Sequence, residues 1–232
     1  MSFTHSKDSR FAFGSTALAA YLTGFTTSTT VDTADTTDLT ATSKTYVPGL
    51  ADSTISATGL FEPLFHTPAV AAFGAADGSP VTVAPAGFAI GSPVVVVNGR
   101  ETSYELSGAV GEVVAANITI QGDGKYDSGV SLYDLAEVTA GGNATAHTDP
   151  AGTSNGAAAT LHVVACTGSL VVKVQHSTNN STWTDLATFT AATGATSERV
   201  VVSGTVNRYL RASWTLTGAG AAATFTTSLA RR

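Results

Sequence analysis

The sequence predicts a mainly β protein, and three observations carry that prediction. Charged residues make up 12% of the chain, about half of the roughly 25% found in an ordinary soluble domain. Thr, Ser, Ala and Gly take their place: Thr, like Val, favours strands, while Gly and Ser punctuate turns. Several segments also alternate apolar and polar residues with a period of two, the pattern of a half-buried strand. Disorder is a poor fit, because 43% hydrophobic residues and a net charge of −6 are not the profile of a chain that cannot collapse. A chain of 232 residues is long enough for one large domain or two modest ones, each with its own core.

The elements follow in chain order. Residues 18–25 read as a strand that leads into a Thr-rich, β-branched segment through Leu39. Residues 53–60 alternate, with Ile55, Ala57 and Gly59 opposite Thr54, Ser56, Thr58 and Leu60. Residues 63–73 are the best helix candidate, although Pro68 is expected to confine the helix to short pieces or make it begin late. Strands resume at 81–83 and 93–97, and Asn98-Gly99 is expected to turn the latter into 101–107 as a hairpin. A second hairpin is expected from 116–121 and 130–138, joined across Gly122-Asp123-Gly124.

Residues 140–158, rich in Gly, Ala and Thr, read as a loop or linker. Beyond them, Leu170, Val172, Val174 and His176 share one strand face, opposed by Val171, Lys173 and Gln175. Leu210, Ala212, Trp214 and Leu216 share another, opposed by Tyr209, Arg211, Ser213 and Thr215. With 200–202 and 224–229 this makes about five short strands in roughly eighty residues, the pattern of a small β-sandwich. The expected organisation is a first domain over 1–145, a linker over 146–158 and a C-terminal sandwich over 159–232.

Charge is unevenly divided. Residues 1–150 hold fifteen acids and five bases, a net of −10, whereas residues 151–232 hold two acids and six bases, a net of +4. Such a split suggests two parts with different neighbours, although solubility alone could also account for it. The acidic part argues against nucleic-acid binding, which draws its affinity from Lys and Arg on phosphates. It does not argue against DNA passing nearby, since like charge lets a polyanion slide without sticking. The N-terminal stretch lacks the apolar core of a signal peptide, and no run approaches the roughly 20 apolar residues of a membrane span. The expectation is a chain made and folded in a cytoplasm.

Patterns that invite a chemical reading are weak. A single cysteine, Cys166, excludes an intrachain disulfide framework, and in its apolar run it reads as a buried structural thiol. Ser154, in Gly-Thr-Ser-Asn-Gly, matches a hydrolase nucleophile elbow but lacks the strand before it and the helix after it. Asp123 and Asp127 lack the oxygen spacing of a calcium loop and read as a solvated turn. His5, His66, His147, His162 and His176 include no pair at metal-ligand spacing, and His176 reads as a hydrogen-bonded residue at the core edge. Two glycosylation sequons, at Asn143 and Asn180, would matter only in a secreted eukaryotic protein. Trp183, Tyr209 and Trp214 could form a sugar-stacking platform, but the period-two placement of Trp214 makes it core. No catalytic residue, cofactor or metal is expected.

The stretch over 38–62, DLTATSKTYVPGLADSTISATGLFE, is the most specific in the chain. A polar loop, a Tyr-x-Pro-Gly-Leu turn and an alternating strand closing on Phe61-Glu62 follow one another in that order. Further on come an Ala-Pro-Ala-Gly turn, a Gly-x-Pro strand start, and Thr-Ser-Tyr-Glu-Leu leading to Gly-x-Val. Together these resemble the major tail tube proteins of long-tailed siphophages, over roughly residues 10–140. The resemblance implies a structural subunit of two packed β-sheets with a flanking short helix. Six copies would close into a ring whose inner wall is a continuous β-barrel, and rings would stack into the conduit for DNA ejection. Its partners would be itself, other phage tail proteins and DNA passing without specific binding. Its place would be the virion tail, after synthesis in a bacterial host cytoplasm and without membrane insertion. Asp38, Thr40, Lys44, Tyr46, Val47, Pro48 and Leu50 would contact a neighbouring subunit or ring. Residues 175–186 resemble a hairpin of sandwich modules appended to phage structural proteins, with Trp183 packing inward and Asn179-Asn180 at the tip. That module would decorate the tube, its positive charge aiding weak contact with a cell envelope. The alternative is a carbohydrate-binding or adhesive β-sandwich protein, with a hydrolase more distant.

Overall fold

The computed structural model describes residues 5–73 and 76–232, without the side chains of residues 64 and 65. It is mainly β, with 62% of residues in strands and 5% in helix. In chain order the strands are β1 (Arg10–Phe13), β2 (Thr16–Ala17), β3 (Leu22–Asp35) and β4 (Tyr46–Leu60). The helix α1 (Pro63–Ala72) precedes β5 (Ser79–Ala84), β6 (Pro93–Ser107), β7 (Ala115–Gly122) and β8 (Asp127–Val138). Then come β9 (Gly142–Asn143), β10 (His147–Thr148), β11 (Ala157–Ser177), β12 (Thr184–Thr188), β13 (Thr196–Val202) and β14 (Tyr209–Arg231). By contacts the chain forms two compact units. One holds Met1–Ala20, Ser79–Asn98 and Asp127–Arg232; the other holds Tyr21–Gly78 and Gly99–Tyr126. The sequence expects domains divided at 146–158; the contacts instead interleave the chain, and below the two groups are the larger and the smaller unit.

The larger unit is built on β11 and β14, which pair antiparallel from Ala157↔Arg231 to Ser177↔Tyr209. β14 also pairs with β8, Ala223↔Val138 through Leu229↔Val130. The free side of β11 is taken first by β13 and then by β12. One core joins Leu132 of β8 to Leu161, Val163, Leu170, Val172 and Val174 of β11 and to Leu210, Phe225 and Leu229 of β14. The alternation expected at 170–176 and 210–216 is present: Leu170, Val172, Val174, Leu210 and Ala212 are buried, with Trp214 and Leu216 packed against them. Residues 142–143 and 147–148, within the expected linker, lie along β14 as short strands. A second core of Ala12, Ala84, Phe88, Val94, Val96 and Ala230 is served by β1, β5 and the first half of β6.

In the smaller unit the sheet order is β3-β4-β7-β6, all antiparallel. Ile55 and Ala57 of β4 pair with Ile120 and Ile118 of β7 on the buried face, as the alternation of 53–60 predicts. α1 is tied to that face through His66 Nδ1 and the Tyr104 hydroxyl, 2.8 Å apart.

Three local expectations are corrected. Asn98-Gly99 makes no hairpin: β6 runs unbroken through it, pairing with β8 before it and β7 after it. The glycine has a different reason to be there, since a Cβ at residue 99 would lie 2.6 Å from Ile120 Cγ2, well inside contact distance. β7 and β8 are not a hairpin either, because each pairs with β6 rather than with the other. Pro68 neither splits nor delays the helix, which spans all of Pro63–Ala72. Pro63 sits at the first helical position, where a missing N–H costs nothing, and the interior Pro68 forgoes one donor.

Candidate functional site

The site begins with β3 and β4, strands of 14 and 15 residues that far outrun the sheet they belong to. β7 covers β4 only from Ser53 to Leu60. From Val31 to Leu50 every residue is exposed, so the distal part is a two-stranded ribbon with solvent on both faces. Such a ribbon is marginal by itself, and this one is held by local bonds. Thr36 N donates to Thr45 O at 2.9 Å, and the Thr36 and Thr45 hydroxyls meet at 3.2 Å. Thr45 N donates to Thr37 Oγ1 at 3.0 Å.

At the tip, Asp38 Oδ1 accepts from Thr40 N at 2.7 Å and from Thr40 Oγ1 at 2.6 Å, while Ala41 N closes a turn onto Asp38 O at 3.2 Å. These bonds hold the Asp38 carboxyl below its ordinary range, first through the Thr40 side chain and then through its backbone. Asp35 is lowered likewise by its hydrogen bonds with Thr37. Leu39 stands at the apex of this turn with its side chain fully in water.

The seven residues expected to make contacts all lie on this ribbon and all are exposed. Asp38, Thr40 and Lys44 occupy the reversal. Tyr46, Val47, Pro48 and Leu50 lie along β4, so the expected Tyr-x-Pro-Gly-Leu turn is strand. The pairing slips by one residue between Val31 and Thr33, where Gly49 and Leu50 stand opposite Asp32. A Cβ at residue 49 would lie 3.2 Å from both Cβ and O of Asp32. A bulge of this kind twists a strand and blunts its edge. Sequence reasoning missed Leu39 and Val31, and also Leu106, Val110, Val113 and Val114 around the β6–β7 loop, all exposed. The signal of Leu39 is a large apolar residue standing alone in a polar loop, whereas Val113 and Val114 read as the start of the following strand.

The outer face of the smaller sheet is a field of hydroxyls and amides. Thr26, Ser28 and Thr30 pair with Ser56, Thr54 and Asp52, and Ser56 and Thr54 continue into Thr119 and Gln121. Gln121 Nε2 donates to Asp52 and, at 3.0 Å, to Ser53 O. Arg100 beside them is ion-paired with Asp123. On the buried face, Glu101 is 1% exposed and neither carboxylate oxygen has a hydrogen-bond partner. Burial pushes its carboxyl up to about 7.

Elsewhere the chemical readings resolve into structure. Ser154 is exposed, its hydroxyl 3.5 Å from Asn155 Oδ1, and strand β11, not a helix, follows it. Asp127 is gripped by Arg199 at 2.6 Å and Arg232 at 3.1 Å. Among the described residues no group of three His, Cys, Asp or Glu could hold a metal. His176 accepts from Asn207 N at 3.2 Å, as a core-edge residue should. Cys166 is half-buried rather than buried, its thiol 3.4 Å from Ala192 O. Trp214 packs on Tyr133 and Phe225, with centroids 4.7 and 5.6 Å away, and is no platform. Trp183 is half-buried under the Arg211 guanidinium at 4.3 Å rather than packed inward. Asn180 takes the left-handed φ of 58° expected of a tip.

Comparison with protein-family models gives no match, and comparison with curated proteins gives none either. Among solved structures, the chain is similar to a component of the virion of a native gene transfer agent particle. That likeness has 18% identity and a TM-score of 0.45, covering 54% of this chain and 98% of the other. It is also similar to the Dit (gp 19.1) protein of phage SPP1, described as a hub adsorption apparatus of phages infecting Gram-positive bacteria. There the identity is 10% and the TM-score 0.39, covering 95% of this chain and 98% of the other.

Proposed function

We propose that this chain is a structural subunit of a phage tail, a tail tube protein whose copies form stacked six-membered rings. The observation that carries the proposal is the β3–β4 ribbon, which holds the resembling sequence and stands in solvent on both faces from Val31 to Leu50. A segment that buries almost nothing within its own subunit can gain apolar burial only from another molecule. Tyr46 and Leu50 are the kind of exposed apolar anchors that interfaces bury. The outer edge of β3 has no strand beyond it among the described residues, and pairing edges around a ring removes that liability. Head-to-tail contacts close a ring and leave two unlike faces that stack.

The hydroxyl and amide face of the smaller sheet is then the lumen wall. The smaller unit holds ten acidic and three basic residues, a net of −7, so DNA passes it without adhering. Electron microscopy of concentrated full-length protein tests the reading. Tubes with a central channel are expected, and deletion of residues 40–45 should leave soluble, β-rich protein that forms none. Tubes of normal appearance from the deletion variant would refute the role given to the ribbon.

A further inference from the structure

We infer that the hairpin tip of one copy seats in a cavity of the larger unit of a second copy, with Leu39 as the inserted side chain. The inference rests on the self-assembly reading above and names the surface that receives the ribbon. The cavity has a volume of about 440 Å³ and is lined by Phe11, Ala20, Phe88 and Leu135, with Lys7 and Arg10 among its other lining residues. Phe11 and Phe88 are each 2% exposed, so its floor is packed core and already formed. Arg10 Nη1 donates to Lys7 O at 3.3 Å and to Ser9 O at 3.0 Å, which fixes the guanidinium beside the lysine.

The tip has the complementary chemistry. Leu39 projects from a turn that the Asp38–Thr40 and Ala41–Asp38 bonds have already ordered, so little entropy is lost on docking. Asp35 and Asp38 flank it against a single base, Lys44, with Asp32 further down the ribbon. At larger scale the smaller unit carries a net of −7 and the larger, with seven acids and eight bases, a near-neutral +1, so no like charge opposes their meeting. An apolar group flanked by acids entering a cavity whose lining is part apolar and part cationic is favoured in both affinity and orientation. The other exposed apolar tip, Val110 with Glu112, is the competing occupant.

The test uses full-length protein with Cys166→Ala. Leu39→Cys copies are mixed with Ala20→Cys copies under mild oxidation, with Val110→Cys copies as the rival, and tubes are followed by microscopy. A Leu39–Ala20 disulfide exceeding the Val110–Ala20 product is expected. Asp35→Asn with Asp38→Asn removes the charge but keeps the acceptor oxygens of the turn, and should lower its yield about tenfold. Lys7→Glu with Arg10→Glu should do the same, and copies with that cavity should regain cross-linking to copies carrying Asp35→Lys, which leaves the Asp38–Thr40 bonds of the turn in place. An absent Leu39–Ala20 product, a dominant Val110 product, or a yield indifferent to these charges would overturn the inference. Tubes formed without the cross-link would refute the seat and leave the tube reading standing; the cross-link without tubes would do the reverse.

Discussion

Two buried ionisable side chains, one in each unit, give the protein opposite responses to pH. Glu101 has no hydrogen-bond partner for either oxygen, and it lies opposite Ile120 on the apolar face of its sheet. Its carboxyl is pushed up to about 7 from an ordinary 4.5. The folded state therefore holds its proton longer than the unfolded chain, so stability is full below pH 4.5 and declines as pH rises through 7. The loss amounts to about 2 kcal/mol after allowing for solvent screening. Glu101→Gln should be more stable than the parent at pH 8 and indistinguishable from it at pH 4, as read by urea denaturation. His162 behaves inversely. It is fully enclosed, its Nδ1 donating to Gly14 O at 2.7 Å and its Nε2 meeting Thr82 Oγ1 at 2.7 Å, and burial lowers it to about 4. The unfolded chain protonates first, so its contribution is complete above pH 6.5 and about 3 kcal/mol disappears between 6.5 and 4. Amide exchange on β11 should therefore quicken at pH 5, whereas β7 should be less protected at pH 8.

At the level of elements, alternation was legible wherever one strand face met a core, as in 53–60, 170–176 and 210–216. Failures came where a residue type has two physical uses. Asn-Gly is the commonest sign of a tight turn, yet Gly99 is present because a neighbouring side chain leaves no room for a Cβ, a fact that depends on a strand about twenty residues away. Gly129 of β8 is a stronger case. A Cβ there would sit 2.3 Å from Leu229 O and 2.6 Å from Ala230 Cα, both backbone atoms that cannot swing aside. Gly129→Ala should therefore push β14 off β8 and cost about 3 kcal/mol, seen as a fall in melting temperature with the smaller unit's β7 protection unchanged. The candidate site divides along the same line. Asp38, Thr40, Lys44 and the residues of 46–50 were visible because their order is distinctive, whereas Leu39 was not, since a single apolar residue in a polar loop has no local signature.

For the whole molecule, the order of segments along the chain conceals how they group. Composition placed a boundary near 146–158, and the sign of the charge changes close by. Yet the acids concentrate in the smaller unit, at residues 21–78 and 99–126, and the near-neutral unit gathers both chain ends. No local rule reveals this, because β8 finds its partner β14 some ninety residues later. The consequence is a definite outcome for truncation. Were residues 159–232 an independent decoration, removing 153–232 would leave the rest folded. The structure implies the contrary: that cut deletes Leu161, Val172, Leu210, Phe225 and Leu229, against which Leu132 and Val138 pack, and strips β8 of its ladder to β14. Leucine or phenylalanine loss from a core costs about 2–5 kcal/mol per residue, and the deletion removes several at once from a domain whose whole stability is about 5–15 kcal/mol. The truncated chain should expose residues 1–20 and 127–152 to protease within minutes. Residues 21–78 and 99–126, which keep every strand of their own sheet, should resist longest, and a truncated chain protected uniformly would show that the cores are separable after all.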